Sequence, residues 1–210
     1  MAKQQKAFFF DAGACTGCKA CQIACKDRSS LPVGIKWRRV YHYSGGRWER
    51  HPTQPNVMVP NDIFVYSLSL ACMHCENPVC MEVCPAKAIS KREDGIVSIN
   101  QDQCIGCRYC QWSCPYSAPQ FDEEMGVMTK CDFCADLQDQ GLNPACVDAC
   151  VMRCLKSGNL EDLKKQYGSF EIEPLPSSGI TRPAFVVRPH KSSQKTGTGT
   201  GKIINLPEEV

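Results

Sequence analysis

The chain has 210 residues and a formal net charge of +2, and 43% of its residues are hydrophobic. This length and composition predict one large globular domain or two small ones with a packed core. The nearly balanced charge predicts neither nucleic acid nor a membrane surface as a partner. No apolar run reaches the length of about 18 to 20 residues that crosses a bilayer. Any membrane association is therefore expected to come through another subunit.

Cysteine is the unusual component, with 17 residues in the chain. A disulfide framework is the first alternative to consider for so many cysteines. The count is odd, sixteen of the cysteines fall into four tight groups, and no signal peptide precedes them. These features disfavour disulfides and favour shared metal sites.

The chain begins with an aromatic stretch, Ala7–Phe10, that predicts an edge strand. The first cysteine group follows, with two, two and three residues between its members: Cys15, Cys18, Cys21 and Cys25. Residues 27–62 contain no cysteine, and within them Ser44-Gly45-Gly46 predicts the turn of a β-hairpin. Several prolines after it predict an irregular loop. We expect this insertion to be a docking surface for another subunit or a plain surface loop.

The second and third groups are joined by a short connection. The second has spacings of two, four and three residues: Cys72, Cys75, Cys80 and Cys84. The third repeats the spacing of the first and is followed by Pro115: Cys104, Cys107, Cys110 and Cys114. Between them, Asp94-Gly95 flanked by apolar residues predicts a hairpin. Two such groups around a hairpin resemble one bacterial two-cluster ferredoxin unit, here residues 63–128.

The fourth group is a variant of the second. Its spacings are two, eleven and three residues: Cys131, Cys134, Cys146 and Cys150. Both groups place Asn-Pro shortly before the third cysteine, at Asn77-Pro78 and Asn143-Pro144. We call the first and third groups compact, and the second and fourth, which have extra residues between their second and third cysteines, looped. Compact and looped groups alternate along the chain, which is an internal repeat. The first and fourth groups are left to form an outer unit from residues 1–26 and 129–158.

Residues 159–210 form a C-terminal extension that we expect to wrap onto a partner or the core. Asn159 and Gly168 predict the two ends of a helix over Leu160–Tyr167. Ala184–Val187 predicts a strand, and the glycine-, serine- and threonine-rich residues 191–202 predict a flexible arm. The complete prediction is an α+β fold of two nested bacterial-type 2×[4Fe–4S] ferredoxin units, with a hairpin insertion and this extension.

The spacing of the cysteines predicts iron–sulfur clusters, because thiolates bind soft iron and four cysteines hold one cubane. In two-cluster ferredoxins the fourth cysteine of each group binds the other cluster. Nested pairing then gives four ligand sets. The outer unit supplies Cys15, Cys18, Cys21 with Cys150, and Cys131, Cys134, Cys146 with Cys25. The inner unit supplies Cys72, Cys75, Cys80 with Cys114, and Cys104, Cys107, Cys110 with Cys84. We therefore predict four [4Fe–4S] clusters, with sequential pairing of the groups as the alternative.

Several residues near the cysteines have two interpretations. Cys154, the seventeenth cysteine, is a small buried apolar residue or a replacement for Cys150 as ligand. His74 packs as a spectator or donates a hydrogen bond to a cluster. Lys19, Lys26, Arg108 and Lys130 are solvated, or they raise the potential of a cluster. Zinc bound by four cysteines is the alternative to iron–sulfur clusters. Structural zinc, however, is usually bound by separated pairs of cysteines rather than by runs of four. We find no residues for substrate chemistry.

The chain resembles the iron–sulfur subunit of the dimethyl sulfoxide reductase family over almost its whole length. The motifs that carry the resemblance are Cys-Thr-Gly-Cys-Lys at 15–19, Trp-Arg-Arg-Val-Tyr at 37–41 with Ser-Gly-Gly at 44–46, Lys-Arg-Glu-Asp-Gly at 91–95, Cys-Ile-Gly-Cys-Arg-Tyr-Cys at 104–110, Met-Thr-Lys-Cys-Asp at 128–132 and Pro-Glu-Glu-Val at 207–210. The fourth group departs from the family pattern, since Val151 stands where proline is usual and Cys154 is extra.

This resemblance implies a non-catalytic electron-transfer subunit. Its partners would be a quinol-oxidising integral membrane anchor and a molybdopterin catalytic subunit that reduces a sulfoxide or N-oxide. The implied location is the periplasmic face of the cytoplasmic membrane, reached by twin-arginine co-export with the catalytic subunit, and the cytoplasmic face is the alternative. The same relay serving formate dehydrogenase, hydrogenase or another molybdenum or tungsten reductase is a second functional hypothesis, and a non-redox zinc module is a third.

Overall fold

A computed structural model describes residues 4–209 of the chain. Its strands are β1 (Lys6–Asp11), β2 (Arg39–Arg50), β3 (Met58–Leu70), β4 (Ile89–Lys91), β5 (Val97–Ile99), β6 (Gln120–Asp122), β7 (Val127–Thr129), β8 (Leu155–Asn159), β9 (Phe185–Arg188) and β10 (Lys202–Ile203). Its α-helices are α1 (Ala20–Arg28), α2 (Val79–Glu82), α3 (Tyr109–Ser113), α4 (Ala135–Asp139), α5 (Ala145–Asp148), α6 (Leu160–Tyr167) and α7 (Leu206–Glu209). A 3-10 turn covers Gln101–Gln103. These short helices and strands form the mixed α and β fold that the sequence predicts.

Strand β1 lies at the centre of a three-stranded sheet, antiparallel to β8 and parallel to β9. The prediction of an edge strand at Ala7–Phe10 is therefore wrong. Phe8 and Phe10 are buried in the main core, while Ala7 and Phe9 are buried in a second core with Leu160 of α6. A continuous apolar run of this kind is typical of a strand that is covered on both faces.

A long antiparallel hairpin, β2–β3, forms the second sheet together with β10. The predicted turn at Ser44-Gly45-Gly46 is wrong, because β2 continues through these residues and the chain reverses between β2 and β3 instead. The glycines form a β-bulge, where the register shifts between Gly45 and Arg47. A Cβ atom on Gly46 would lie 2.3 Å from the carbonyl oxygen of Asp62. β3 also runs across residue 62, the predicted end of the insertion.

Three predicted elements are confirmed. Strands β4 and β5 pair on either side of Asp94-Gly95. Helix α6 begins after Asn159, whose Oδ1 accepts a hydrogen bond from the Glu161 N–H at 3.0 Å, and ends at Gly168 with φ of +80°. Strand β9 begins one residue later than predicted. In the first two cases local chemistry, a turn dipeptide or a capping side chain, determines the element.

Residues 191–202 are predicted to be a flexible arm, and the structure corrects this. Ile172 forms a β-bridge with Lys195. The N–H groups of Gly197 and Gly199 donate to the carboxylate of Glu173 at 2.6 and 3.2 Å. Because the acceptor lies far away in the sequence, composition alone does not show these bonds. The arm leads into β10, which pairs with β2.

The main hydrophobic core is built around the cysteines rather than apart from them. Its buried members include six thiols: Cys21, Cys72, Cys131, Cys146, Cys150 and Cys154. A smaller core surrounds Cys110 with Ile89, Val97 and Met128. None of the helices within residues 4–209 is both long and apolar enough to cross a membrane. The fold thus places sulfur at the centre of its packed interior.

Asn205 fastens the C-terminal segment to β2, and it provides a test of this attachment. Its amide donates to the Val40 carbonyl and accepts from the His42 N–H, both at 2.8 Å, and its side chain is buried. We expect Asn205→Ala to lower the free energy of unfolding by about 2–4 kcal/mol, because two buried main-chain groups lose their partners. Chemical denaturation measures this. The exposed Asn56→Ala is the control, and equal stability of the two variants would contradict the expectation.

Candidate iron–sulfur centres

The four cysteine loops share one backbone feature. In each, the residue two places after the first cysteine has a φ in the left-handed region: Gly17 (70°), His74 (41°), Gly106 (68°) and Phe133 (63°). Glycine adopts this conformation without steric cost. His74 and Phe133 are instead held by packing, since both are fully buried and their rings meet edge to face with centroids 5.3 Å apart. Equivalent positions of the second and fourth loops therefore contact each other.

Short helices place the third cysteine of every group. In the compact groups, Lys19 and Arg108 adopt left-handed backbone angles and the chain then enters α1 or α3. In the looped groups, Pro78 and Pro144 stand directly before α2 and α5. This explains the repeated Asn-Pro pair, since proline has a fixed φ that suits the start of a helix. The fourth cysteine then follows about one helical turn after the third.

Three small cavities are each lined by cysteines from two groups. The first cavity is lined by Cys72, Cys75, Cys80 and Cys114. The second is lined by Cys15, Cys18, Cys21, Cys150 and Cys154. The third is lined by Cys84, Cys104, Cys107 and Cys110. In every case a fourth or fifth sulfur from a distant group joins three sulfurs of one loop.

The remaining four cysteines meet where α1 packs against α5. The pKa of Cys25 is raised to about 12, mainly by burial and in part by the neighbouring Cys146 and Cys134. Burial raises the pKa of the Cys131 thiol well above its usual range, and Cys25 adds to this. Such thiols stay protonated near neutral pH unless a metal replaces the proton. Among residues 4–209, no three side chains gather closely enough around a point to hold a single metal ion.

Backbone N–H groups point at the sulfurs, as iron–sulfur sites require. Gly17 N–H donates to Cys15 Sγ, and Phe133 N–H donates to Cys131 Sγ, both at 3.4 Å. These two donors occupy the shared left-handed position of their loops. Met128 N–H donates to Cys104 Sγ at 3.3 Å. The residues present thus fit a thiolate-bound cluster in donor type, in cavity and in hydrogen bonding to sulfur.

The charged residues that the sequence analysis selected differ in position. Lys19 is paired with Glu208 and Glu209 at 2.8 Å, and Arg108 is exposed above the Phe121 ring, with its Cζ 3.7 Å from the centroid. Lys26 is partly buried and donates to main-chain carbonyls. Lys130 alone among these is buried, where it lines the Cys72 cavity and donates to the Cys131 carbonyl at 2.9 Å.

His74 lines the same cavity as Cys72. Its Nδ1 accepts a hydrogen bond from the Val97 N–H at 3.0 Å, so the proton of the neutral ring is on Nε2. Burial lowers the pKa of His74 well below its ordinary value, and the nearby Lys130 adds to this. His74 is therefore a buried, neutral donor, and its Nε2–H has no partner among the described residues.

Sequence reasoning missed two arginines, Arg38 and Arg39, at the start of β2. Both are buried, with exposed fractions of 1% and 5%. Arg39 donates to the carbonyls of Tyr116 and Ser117. It also opposes the effect of burial, which raises the pKa of Cys114. The signal was present, because Arg38 and Arg39 stand among aromatic and apolar residues, Trp37, Val40 and Tyr41, where β2 begins.

Cys154 is buried, as one of its two interpretations requires, but it also lines the cavity of Cys15. Its Sγ lies 3.5 Å from Cys150 Sγ. Interaction with Cys15 raises the pKa of Cys154, and interaction with Cys154 lowers the pKa of Cys15. The seventeenth cysteine is thus part of this site rather than a distant packing residue.

Comparison with known proteins was made against this geometry. Residues 63–160 match the model of the 4Fe-4S dicluster domain family. The B component of anaerobic dimethyl sulfoxide reductase from Escherichia coli (strain K12) is 45% identical over 207 residues, which is 98% of both proteins. The chain belongs to the family of dimethyl sulfoxide reductase iron–sulfur subunits. The corresponding B component from Haemophilus influenzae is 44% identical over 208 residues, covering 99% of this protein and 100% of that one.

Members of this family are iron–sulfur electron-transfer subunits of reductase complexes, and relatives with other acceptors are also similar. The B component of polysulfide reductase from Wolinella succinogenes is 34% identical over 188 residues, covering 86% of this protein and 92% of that one. The family resemblance deduced from the cysteine motifs is thereby confirmed. [4Fe–4S] clusters are the cofactor type that the matched domain carries.

Gly106, at the shared left-handed position, can be compared with Gly141, a glycine of similar φ elsewhere in the chain. A Cβ on Gly106 would lie 2.4 Å from the Gly126 carbonyl oxygen, whereas a Cβ on Gly141 would meet nothing within 4 Å. Both glycines have positive φ, 68° and 74°. We expect Gly141→Ala to cost about 1–2 kcal/mol of unfolding free energy from backbone strain. Gly106→Ala should cost about 1–3 kcal/mol more because of overpacking. Urea denaturation compares them, and equal losses would contradict the close approach.

Proposed function

We propose that this chain carries four [4Fe–4S] clusters and relays electrons from a quinol-oxidising membrane anchor to a molybdopterin catalytic subunit. That partner would reduce a sulfoxide or N-oxide. The observation that carries the proposal is the arrangement of sixteen cysteines, three sets of which line small cavities. The identity to the B components of dimethyl sulfoxide reductases over nearly the whole length supports the acceptor class.

We propose the ligand sets that nested pairing predicts. Support comes from the three cavities, where Cys114 joins the second group, Cys84 joins the third and Cys150 joins the first. For the fourth set, support comes from neighbouring sulfurs: besides burial, Cys146 and Cys134 raise the pKa of Cys25, and Cys146 raises the pKa of Cys134. On this proposal the first and fourth groups form one two-cluster unit, and the second and third form the other.

A [4Fe–4S] cluster, when bound, accepts and releases one electron. The chain's own residues hold and insulate it. Cysteine thiolates from two groups fix each position, and N–H donors such as that of Phe133 stabilise negative charge on sulfur. Buried side chains such as Phe8 and Phe133 exclude water from the centre. The protein thus contributes position, insulation and potential rather than bond chemistry.

Exposed apolar side chains border three of the four cysteine groups and support contacts with partners. Beside the third group, Ile105 and Trp112 are 67% and 71% exposed. Beside the first and fourth groups, Ile23 and Val151 are 62% and 72% exposed. Apolar residues clustered in this way mark interaction sites on soluble chains. We propose these two regions as the contacts through which electrons enter and leave.

A second candidate is the same relay in a reductase of an inorganic sulfur compound. It is favoured by the similarity to the B component of polysulfide reductase and to that of tetrathionate reductase from Salmonella typhimurium, which is 31% identical over 188 residues, or 90% of this protein and 71% of that one. The periplasmic face of the membrane, after co-export with the catalytic subunit, is proposed from the family resemblance alone. Protease treatment of intact spheroplasts tests the membrane side, because only a chain on the periplasmic face is accessible to the protease.

The deciding experiment is purification of the complex with its partners under anaerobic conditions, followed by iron and sulfide analysis. Four clusters predict about sixteen iron and sixteen sulfide ions per chain, four of each for every cubane. EPR during stepwise reduction should resolve four one-electron centres. The substrate reduced by the purified complex then separates sulfoxide from sulfur-compound acceptors. A colourless chain containing zinc would overturn the relay in favour of a zinc module.

Cys150 and Cys154 provide a paired test of the ligand assignment. We expect Cys150→Ser to lower the iron content by up to one cluster, because Cys150 follows Cys146 at the ligand spacing. Cys154→Ser should retain the wild-type iron content, because Cys154 lies outside the four groups with ligand spacing. Iron analysis and EPR of both variants decide between them. Loss of iron in the Cys154 variant alone would assign the fourth ligand to Cys154.

A further inference from the structure

The starting observation is a buried positive charge without an acidic partner. Arg38 is 1% exposed and is among the largest fully buried side chains of residues 4–209. Within those residues, no carboxylate pairs with its guanidinium. Arginine stays protonated inside proteins. A buried, permanently charged side chain requires negative charge nearby, because desolvation is otherwise very costly.

The hydrogen bonds of Arg38 do not provide that charge. Nη1 donates to the carbonyl oxygen and the hydroxyl of Ser69, at 3.3 and 3.1 Å. The Nε and Nη2 atoms are buried and have no partner in the described residues. The guanidinium lies over the Phe8 ring, with Cζ 4.5 Å from the centroid. Neutral carbonyl, hydroxyl and aromatic groups therefore account for only part of its surroundings.

Four cysteines, two in the first group and two in the fourth, lie near enough to the guanidinium to affect its pKa, and they become negatively charged when a cluster binds them as thiolates: Cys21, Cys25, Cys131 and Cys146. Burial lowers the pKa of Arg38, but the thiolate charges outweigh burial and raise it above its ordinary value. Arg38 in turn opposes the rise that burial causes in the pKa of Cys21, Cys25 and Cys131. The guanidinium thus faces sulfurs of two different ligand sets.

Ser69 connects Arg38 to one of these sets directly. Its hydroxyl oxygen accepts from Arg38 Nη1 and lies 3.2 Å from Cys21 Sγ. Since that oxygen accepts from the arginine, its own proton is available to donate to the sulfur. Arg38, Ser69 and Cys21 form a chain in which positive charge polarises a hydroxyl that points toward a ligand sulfur.

We propose that Arg38 is the shared counter-charge of the two clusters that the first and fourth cysteine groups hold, and that it raises the reduction potentials of both. The inference rests on the proposed function, because it requires clusters in those positions. Reduction adds negative charge to a cluster, and a fixed cation nearby stabilises the reduced form more than the oxidised form. Arg38 is not a cluster ligand; it changes the reduction potentials through its positive charge.

The test compares Arg38→Gln, which removes the charge, with Arg38→Lys, which keeps it. EPR-monitored redox titration of the purified complex measures the potentials of all clusters. We expect Arg38→Gln to change the reduction equilibrium constant of two clusters at least tenfold, which is about 59 mV for one electron, in the downward direction. Arg38→Lys should keep both potentials close to those of the wild type.

Arg39→Gln is the matched control, since it removes an adjacent buried charge that lies beside Cys114 of another ligand set. It should leave unchanged the two signals that Arg38→Gln moves. If both variants moved the same signals equally, the effect would be a general loss of charge and the proposal would be overturned. If all potentials of a fully loaded Arg38→Gln complex matched the wild type, the proposal would also be overturned.

If Arg38→Gln loses iron, the Arg38→Lys variant shows whether the cause is the missing charge or a structural defect. Iron and potentials restored by Arg38→Lys support a requirement for charge, while loss of iron in both variants assigns Arg38 a purely structural role and overturns the proposal. Wild-type iron content distinguishes this failure from failure of the proposed function. A wild-type chain without iron overturns both, whereas a loaded wild type with unchanged variants overturns the inference about Arg38 alone.

Discussion

Sulfur buried in a hydrophobic core is the constraint on which the rest of this structure depends. Burial raises the pKa of Cys25 to about 12 and that of Cys75 to about 11, so these thiols cannot ionise near neutral pH on their own. Metal ions can take the place of the protons, and hydrogen-bond donors and buried cations can stabilise the remaining charge. The N–H groups that point at sulfur, the neutral His74 and the buried Arg38 all answer the same requirement.

The four repeated loops share one backbone conformation, and in two of them it meets this requirement. A left-handed residue after the first cysteine brings a backbone N–H toward sulfur, as Gly17 and Phe133 both do. Glycine suffices at the compact groups. At the looped groups the same conformation is adopted by His74 and Phe133, and their side chains fill the space between the loops. The strain of these two residues is offset by burial and by their mutual contact.

Local signals predicted much of this arrangement. Cysteine spacing gave the groups, Asp94-Gly95 the small hairpin, and Asn159 with Gly168 the ends of α6. Long-range contacts determined what the sequence could not show. The central position of β1 depends on strands from residues 155–188, and the bulge at Gly45 depends on β3. The role of Arg38 was hidden for the same reason, because its partners are cysteines far away in the sequence.

The hairpin β2–β3 is therefore better understood as part of the packing around the first cysteine group than as an appendage. Arg38 directly precedes β2, and Ser69 of β3 bonds Arg38 and contacts Cys21. Strand β3 then leads into the loop of Cys72. From Arg38 a continuous buried column runs through Phe8, which stacks on Phe133 at 4.1 Å, to His74 at the second group. Close packing leaves little to rearrange when charge moves. Because this column joins the loop of the fourth cysteine group to that of the second, it holds the positions of the two loops fixed relative to each other, which suits the scaffold of an electron-transfer subunit.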